Sequence, residues 1–452
     1  MGIDWSNRVI EVTEELISRQ PENQIRPRLE PTRRAVEILG NPQTNYGIIH
    51  ITGTNGKTTT ARLIERILRE HGLRTGRLTS PHLVSINERI AIDGEPIDDE
   101  IFVRAYEESK PLLELADAEL VAKGEQPLTF FEAFTALAFQ IFSDAPVDVL
   151  VLEVGMGGEW DSTNVADADV AVFTSISIDH AKSLGNTVSE IAKTKSGIIK
   201  PKSLVVTSPQ DPDALKQIRF ASESSEGLFE AGQKFFLSQV KPDGTGTRFT
   251  VKGIAGNYEN IWMPIIGEHQ AENAATAIAA VELFLGAGQR PIGDEILRSA
   301  LADATSPGRL QIVSKDPLIV LDGAHNPAGA RTLAQAIRSH FGSPRSIGLI
   351  SMLADKDARS TLIELNNLFE ILLVTQVENQ RRMPASQLAA VAREVGFKNV
   401  VVQEHLSEAL DYAKNAAAAD SLALFATGSL YMVGDLLKHF SSSYEMDDDG
   451  EN

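Results

Sequence analysis

The sequence predicts an α/β protein of two domains, each built on a mainly parallel β-sheet. Apolar runs of strand length alternate with helical patterns from residue 46 onward, as in parallel sheets covered by helices on both faces. A glycine-rich turn joins the first strand to a helix, and a Ser-Pro-Gly break at 306–308 divides the alternations into two series. We therefore expect a phosphate-loop domain at 1–305, a smaller Rossmann-like domain at 306–440 and an acidic disordered tail at 441–452.

The elements of the first domain follow from hydrophobic period and length. Apolar runs bounded by polar residues predict strands, and longer segments with helical spacing predict helices. Short segments around Asp243-Gly244-Thr245-Gly246 are typical of hairpins. The predicted elements are a strand at 46–51, a helix at 60–71, a strand at 77–79, helices at 98–123 and 129–143, strands at 147–154 and 169–176, hairpins within 227–266, and a helix at 269–285.

The second domain repeats the strand–helix alternation. One of its helices is marked at its start by Asn326, a preferred N-cap residue, followed by Pro327 at the first helical position. The strands are predicted near 317–323, 346–352, 370–377, 399–403 and 421–427. Five strands separated by helices predict a second parallel sheet.

Composition excludes several classes of protein. The net charge of −20, from 42 basic and 62 acidic residues, argues against a general nucleic-acid binder. The absence of cysteine excludes disulfides, thiolate nucleophiles and cysteine zinc sites. We find no apolar run of about 18 residues and no signal peptide, so we expect a soluble cytoplasmic protein without a membrane partner.

The turn after the first strand has the chemistry of a phosphate site. Backbone N–H groups and the positive end of the following helix would face anionic oxygens. Lys57 would reach the terminal phosphates, and the hydroxyl of Thr58 would hold Mg²⁺. The turn consists of Gly53, Thr54, Asn55, Gly56, Lys57, Thr58 and Thr59. Ile51 stands where the strict Walker A pattern has glycine, so the turn is a variant, and the alternative is an ordinary strand-to-helix turn.

Two acidic positions follow strands of the first domain, where ligands of open α/β sheets bind. Glu153 ends an apolar strand and precedes Gly155-Met156-Gly157-Gly158, which favours a metal ligand over a structural ion pair. Asp179-His180 follows the next strand, and beside Glu153 it suggests a second metal site, although an isolated histidine there would more often be structural.

Two further groups are interpreted with less specificity. Lys193, Lys195 and Lys200 are most simply solvated helix residues or contacts to an anion. In the second domain, Asp322 and His325 lie at a strand end that turns into a helix, where we expect them to face a ligand in a cleft between the domains. The alternative for Asp322 is a helix cap.

Taken together, these motifs resemble the folylpolyglutamate synthase/dihydrofolate synthase family of the Mur ligase superfamily. The resemblance spans nearly the whole chain in family order. Peptidoglycan-precursor ligases carry an extra domain before the phosphate turn, for which about 45 residues are too few. The matching strings are HITGTNGKTTT, LTSPHLVSINERI, LTFFEAFTALAF, VLEVGMGGEWDSTNV, DH…LGNTVSEIAKTKSGIIKP, GEHQAENAATA, PGRLQIV, LDGAHNP and TGSLYMVGDLL.

The resemblance implies ATP-driven amide ligation. ATP would phosphorylate a carboxylate of a folate or of dihydropteroate, and L-glutamate would attack the acyl phosphate. The implied cofactors are ATP and Mg²⁺, with K⁺ as a further candidate, and a monomer is expected. The alternatives are a Mur-type ligase for another carboxylic acid and a nucleotide-binding switch without ligation.

The same resemblance implies roles for individual residues. Lys57, His180, Lys195 and His325 would act in catalysis, and Lys195 matches a family lysine that can carry a carbamate. Thr58 and Glu153 would hold one Mg²⁺, and Ser80, Glu153 and His180 a second. Asn273, Arg309 and Asp322 would contact the nucleotide, His325 and Ser429 glutamate, and Thr129, Phe131 and Asp161 the pterin.

Some positions depart from the family pattern. Thr194 and Ser196 stand where Glu and Ala are common, and Glu159-Trp160 where Arg-Leu is frequent. Glu159 would place a negative charge near an anionic substrate. Arg89 is a candidate anion contact, with a surface ion pair to Glu88 or Asp93 as the alternative.

Overall fold

We analysed a computed structural model of the chain, which describes residues 4–20 and 26–448. The described residues form two compact units. The first contains residues up to 238 together with 249–261 and 272–304, and the second contains 239–248, 262–271 and the chain from 305 onward. The end of the predicted acidic tail, 449–452, lies outside the described residues.

The first unit is organised on an eight-stranded sheet of order β4-β3-β2-β5-β1-β6-β7-β8. β1 lies between β5 and β6, parallel to both, and β2, β7 and β8 continue the parallel arrangement. β3 and β4 are antiparallel additions at one edge. The strands are β1 Gly47–Thr52, β2 Thr75–Leu78, β3 Ile90–Ile92, β4 Glu95–Pro96, β5 Val149–Glu153, β6 Val170–Phe173, β7 Leu204–Thr207 and β8 Gly227–Glu230.

Helices cover this sheet because their apolar sides match its buried faces. α5 is almost entirely buried, and with α1, α2 and α4 it forms one hydrophobic core against the sheet. The residues of α7 and α8 pack with β6 and β7 in a second core. The helices are α1 Trp5–Ser18, α2 Glu30–Ile38, α3 Lys57–Glu70, α4 Asp99–Ala122, α5 Phe130–Asp144, α6 Ala181–Leu184, α7 Val188–Lys195 and α8 Pro212–Ser222.

A three-stranded sheet and two helices follow in the chain. The sheet has the order β11-β10-β9, and its strands are β9 Phe236–Asp243, β10 Gly246–Lys252 and β11 Asn257–Met263. The helices are α9 Glu268–Gly286 and α10 Asp294–Ala302.

The second unit carries a six-stranded sheet of order β12-β13-β17-β14-β15-β16. All neighbours are parallel except β12 and β13. Its strands are β12 Gln311–Lys315, β13 Leu318–Leu321, β14 Ser346–Ile350, β15 Ile371–Val374, β16 Val400–Val402 and β17 Ala423–Thr427. Its helices are α11 Pro327–Ser339, α12 Ala358–Leu365, α13 Ala385–Glu394, α14 Leu406–Asp420 and α15 Leu430–Asp448.

These findings confirm the predicted α/β class and its two mainly parallel sheets. Asn326 is the N-cap of α11, accepting a hydrogen bond from the N–H of Gly329, as its sequence position predicts. The hairpin prediction for 227–266 is wrong at its start, because β8 pairs in parallel with β7 and completes the main sheet. The range 441–452, predicted as a disordered tail, overlaps α15 as far as Asp448.

None of the helices in residues 4–20 and 26–448 combines the length and the apolarity that crossing a bilayer requires.

The buried carboxylate of Glu282 is expected to contribute to the free energy of unfolding. Glu282 in α9 accepts hydrogen bonds from the backbone N–H groups of Ile254, Ala255 and Gly256 and from the hydroxyl of Tyr258. In Glu282→Gln an amide NH₂ would face donors, so we expect a loss of about 2 kcal/mol in the free energy of unfolding. Urea unfolding of the full chain measures this loss of unfolding free energy. Glu259→Gln, at an exposed position, is the control. Equal midpoints for both variants would contradict this interpretation.

Candidate active site

The turn between β1 and α3 has the backbone of a phosphate site. Gly53 and Gly56 adopt positive φ angles of 151° and 87°. A Cβ at Gly53 would collide with the side chain of Thr174, and one at Gly56 would lie 2.5 Å from Oδ1 of Asn273. The turn is therefore closely packed, and the predicted nucleotide residue Asn273 lies directly against it.

Two lysines converge on this turn. Lys57 Nζ donates to the carbonyl oxygens of Gly53 at 3.2 Å and Thr54 at 3.3 Å, and Lys195 Nζ donates to the same Gly53 oxygen at 2.7 Å. Lys195 is only 4% exposed, so the interpretation of this lysine as a solvated helix residue is wrong. Lys193 is exposed, as that interpretation expects.

Lys195 has an unusual protonation equilibrium. Burial lowers its pKa to about 7, and the charge of Lys57 acts in the same direction. A substantial fraction of Lys195 is therefore a neutral amine near neutral pH, which is the form in which a lysine is nucleophilic.

Glu153 lies at the carboxyl end of β5 and meets the start of α3. Thr58 Oγ1 is 3.0 Å from each carboxylate oxygen of Glu153, and the N–H of Ser80 is 3.4 Å from one of them. Glu153 is 2% exposed. A buried carboxylate beside a hydroxyl at a helix N-terminus offers the hard oxygen ligands that Mg²⁺ prefers, so these residues fit the metal.

The segment carrying Asp179 and His180 is fastened to the phosphate turn. The N–H groups of Thr54 and Asn55 donate to the carbonyl oxygen of Ser175, at 2.8 and 3.3 Å. His180 has a left-handed backbone, and its N–H donates to Asp179 Oδ1. Within the described ranges, no three His, Asp or Glu side chains converge to hold a metal. A role for His180 as a metal ligand therefore remains a prediction.

Two of the three residues predicted for the pterin, Phe131 and Asp161, lie against the glycine-rich segment after β5. There is no room for a side chain at Gly155, because a Cβ added to this residue would lie 2.6 Å from the Phe131 ring and 3.2 Å from Asp161 Oδ2. Thr129 is the N-cap of α5 and forms a capping box with Glu132. Phe131 and Asp161 are thus brought together, and Thr129 starts the helix that carries Phe131.

Arg28 and Glu132 hold the start of α5 and were not identified from the sequence. Arg28 donates from two nitrogens to the two carboxylate oxygens of Glu132, at 2.9 and 2.8 Å. Glu132 also accepts from the N–H of Thr129 at 2.7 Å. The T-x-x-E spacing at 129–132 is a recognisable capping-box signal and could have revealed Glu132, whereas nothing local marks Arg28 as its partner.

Burial of Arg89 contradicts one of its two predicted interpretations, a surface ion pair, whereas its role as an anion contact stays a prediction. It is 4% exposed, its guanidinium lies over the rings of Phe130 and Phe134, and its Nε donates to Nδ1 of His82. A surface ion pair with Glu88 or Asp93 is therefore wrong. The contacts instead connect the loop containing Ser80 to the start of α5.

The second unit gathers its predicted residues at the carboxyl end of its sheet. Asp322 follows β13 and accepts from the N–H groups of Leu310 and Ala324, both at 2.9 Å. It does not cap α11, so that alternative is wrong. Burial raises the pKa of the Asp322 carboxyl, and the nearby charge of Arg309 opposes the shift. The nitrogen Nδ1 of His325 lies 2.8 Å from the carbonyl oxygen of Gly323.

Ser429 lies on the neighbouring turn, after β17. The N–H of Gly428 donates to the carbonyl oxygen of Ala324 at 2.9 Å, which joins this turn to the one carrying His325. Ser429 is 2% exposed, and among the residues that the structure describes its hydroxyl has no hydrogen-bond partner. A buried hydroxyl without a partner is unfavourable, so it is well suited to receive a polar ligand.

Two domain families match the parts of the chain that carry these residues. The Mur ligase middle domain matches residues 51–281, and the Mur ligase glutamate ligase domain matches residues 308–429. A dihydrofolate synthase/folylpolyglutamate synthase of Mycobacterium tuberculosis is 40% identical over 427 residues, covering 91% of this chain and 88% of the relative. The chain belongs to the folylpolyglutamate synthase/dihydrofolate synthase family. As a member of this Mur ligase family, it is an ATP-dependent ligase.

Other relatives agree with this membership in the ligase family. The folylpolyglutamate synthase of Lacticaseibacillus casei is 36% identical, with 90% of this chain and 94% of the relative covered. The Mycobacterium tuberculosis folylpolyglutamate synthase solved with ADP and AMPPCP matches with a TM-score of 0.91 at 37% identity, covering 97% of this chain and 99% of that one. Escherichia coli FolC in complex with DHPP and ADP matches with a TM-score of 0.83 at 29% identity, covering 96% and 98%.

Because Gly56 is tightly packed, we expect a larger residue at this position to weaken nucleotide binding. In Gly56→Ala the added Cβ meets the side chain of Asn273 and the positive φ becomes strained, so either Asn273, a predicted nucleotide contact, or the turn itself must shift. We expect ADP affinity, measured by calorimetry, to fall by about tenfold or more, since about 1.4 kcal/mol of distortion suffices. Gly72→Ala is the matched control, because Gly72 has a φ of 90° and open space around it. Unchanged affinity in Gly56→Ala would show that the turn does not form the phosphate site.

Proposed function

We propose that the protein adds L-glutamate to folates, and to dihydropteroate, with hydrolysis of ATP to ADP. The observation that carries the proposal is the contact of the buried Glu153 with Thr58 beside the glycine-rich turn, in a chain of this ligase family. The Escherichia coli relative was solved with DHPP and ADP together, which supports a folate-type acid as the second substrate.

The reaction proceeds in two steps, phosphorylation of the acid and formation of the amide. A carboxylate oxygen of the folate-type acid attacks the γ-phosphorus of ATP, the bond to the β,γ-bridging oxygen breaks, and ADP leaves. The glutamate amine then attacks the acyl carbon, the bond from that carbon to the phosphate oxygen breaks, and inorganic phosphate leaves. The amine gives up its proton as the amide forms, and the proton passes to the leaving phosphate or to solvent.

Lys57 and the turn provide positioning and positive charge in the first step. Phosphoryl transfer depends mainly on alignment and charge neutralisation. Lys57 exchanges its contacts with the carbonyl oxygens of Gly53 and Thr54 for phosphate oxygens, and the N-terminus of α3 faces the same anion. Thr58 and Glu153 would hold Mg²⁺, with Ser80 and His180 as further candidate ligands. When bound, Mg²⁺ neutralises charge on the transferred phosphoryl group.

Lys195 contributes through its neutral amine. In this proposal the neutral amine adds CO₂ and releases one proton to solvent, so the side chain becomes an anionic carbamate whose oxygens would be available as ligands. Two observations support the step, namely the lowered pKa of Lys195 and its match to the family lysine. Forming the carbamate also removes the repulsion between Lys195 and Lys57.

His325 and Ser429 bind glutamate in the second step. The carbonyl oxygen of Gly323 can only accept, so Nδ1 of His325 carries the proton and the ring orientation is set. The hydroxyl of Ser429 lies on the adjoining turn, and a glutamate carboxylate would satisfy it. We further propose that the enzyme is a monomer acting in the cytoplasm, where ATP is supplied.

A direct assay tests the reaction and its substrate. Purified protein is incubated with ATP, Mg²⁺ and glutamate, and with tetrahydrofolate, dihydropteroate or a nucleotide-sugar peptide, and products are identified by mass. We expect a mass increase of one glutamyl residue with a folate-type acid and an equal amount of ADP. ADP without any amide product would overturn the proposal. A product from the nucleotide-sugar peptide alone would favour the Mur-type alternative.

Substitution of His325 separates ligation from nucleotide binding. We expect His325→Ala to lower product formation by at least tenfold while leaving ADP affinity within twofold, because one buried polar contact is worth about 1–1.5 kcal/mol. His405→Ala, at an exposed position in the same unit, is the control. Full product formation by His325→Ala would remove this residue from the glutamate site.

The carbamate gives a spectroscopic prediction. With ¹³C-labelled bicarbonate at a fixed CO₂ concentration, we expect a carbamate signal in ¹³C NMR that is absent in Lys195→Gln. Only the neutral amine adds CO₂, so occupancy should rise as pH increases through about 7, the folded pKa of Lys195. A signal of the same size in Lys195→Gln, or none in the wild type, would show that Lys195 is not modified.

A further inference from the structure

β1 carries two polar side chains on the same face, directly before the phosphate turn. His50 and Thr52 are two residues apart, so their side chains point to the same side of the sheet. His50 is 0% exposed and pairs with Leu152 of β5 and Ala171 of β6 in the middle of the sheet. No role in ligation assigned above uses His50.

A chain of hydrogen bonds leads from His50 to Asp161. His50 Nε2 lies 2.8 Å from Thr163 Oγ1, and Thr163 Oγ1 donates to Asp161 Oδ1 at 2.6 Å. The two oxygens of Asp161 also accept from backbone N–H groups, Oδ2 from Met156 at 2.8 Å and Oδ1 from Thr163 at 3.0 Å. The Asp161 carboxylate therefore links the end of the segment 155–161 to its beginning at Met156.

Proton counting fixes the state of the imidazole. The hydroxyl of Thr163 has one proton, which it gives to the carboxylate, so it must accept from His50. His50 therefore carries its proton on Nε2. Among the described residues Nδ1 has no partner, and burial together with the charge of Lys200 lowers the pKa of His50 to about 3, so the ring stays neutral.

The segment 155–161 lies between groups that the proposed function needs. Thr52 Oγ1 donates to the carbonyl oxygen of Gly157 at 2.8 Å, so both polar residues of β1 hold this segment. Gly155 packs against Phe131, and a Cβ at Gly158 would lie 2.6 Å from the carbonyl oxygen of Lys195. A shift of the segment would therefore move Phe131 and Lys195 relative to each other.

We propose that His50 is a positioning residue that, through Thr163, orients the Asp161 carboxylate and fixes the segment 155–161 against Phe131 and Lys195. The inference rests on the proposed function only for its effect on the folate-type substrate. It assigns to the strand before the phosphate turn a second task, which is to set the geometry of the acid-binding side.

Two variants of His50 test this proposal. His50→Leu removes the donor, whereas His50→Gln places an amide N–H close to the position of Nε2. His71→Gln, at an exposed site after α3, is the matched control. We expect His50→Leu to raise KM for the folate-type acid by about tenfold, the size of one buried hydrogen bond, and to leave KM for ATP within twofold. His50→Gln should restore most of the loss.

Two further measurements do not depend on catalysis. In ¹⁵N NMR of the wild type, His50 should show a proton on Nε2 and none on Nδ1. Exchange of the amide protons of Met156 and Thr163 should be faster in His50→Leu than in His50→Gln and the control. If His50→Leu does not fold, the tautomer of His50 in the wild type still decides.

The outcomes separate this proposal from the proposed function. A proton on Nδ1, or exchange rates and KM values in both variants equal to those of the control, would overturn the role of His50. Wild-type protein that makes no glutamyl product, with the tautomer and exchange rates as expected, would overturn the proposed function and leave the positioning role intact.

Discussion

The buried carboxylate of Glu153 is the constraint around which the first unit is arranged. An ionised carboxylate with 2% exposure is costly unless nearby groups compensate it. Its position at the end of β5 brings it to Thr58 at the start of α3, where the helix dipole favours negative charge. Parallel pairing of β1 with β5 fixes this meeting, because Ile51 lies opposite Glu153 in the register.

Charge near the turn is balanced locally, despite the strongly acidic chain. Lys57 and Lys195 share the carbonyl oxygen of Gly53, and their proximity together with burial reduces the positive charge that Lys195 carries. The net charge of −20 therefore says little about this site. In the proposed function, a triphosphate would meet the lysine of the turn, the start of α3 and backbone N–H groups.

The second unit uses the same topological rule with different chemistry. The ends of β13 and β17 are adjacent in a parallel sheet, so the turns that follow them meet through Ala324 and Gly428. This brings an oriented imidazole and a buried hydroxyl onto neighbouring turns. Such a site suits a small polar ligand, and that is consistent with the glutamate ligase domain that matches residues 308–429.

Local sequence determined the α/β class, most strands, the N-cap at Asn326 and the phosphate turn, because each depends on hydrophobic period, capping or glycine conformation within a few residues. The string of family motifs carried the ligase assignment. Tertiary structure decided the rest. It decided the burial of Lys195 and Arg89. It also decided three sets of hydrogen bonds between distant parts of the chain, which are those from Lys195 to Gly53, from Arg28 to Glu132 and from His50 to Asp161. The residues that these bonds join lie up to 142 positions apart. Such contacts depend on sheet order and on burial, neither of which short-range sequence patterns encode.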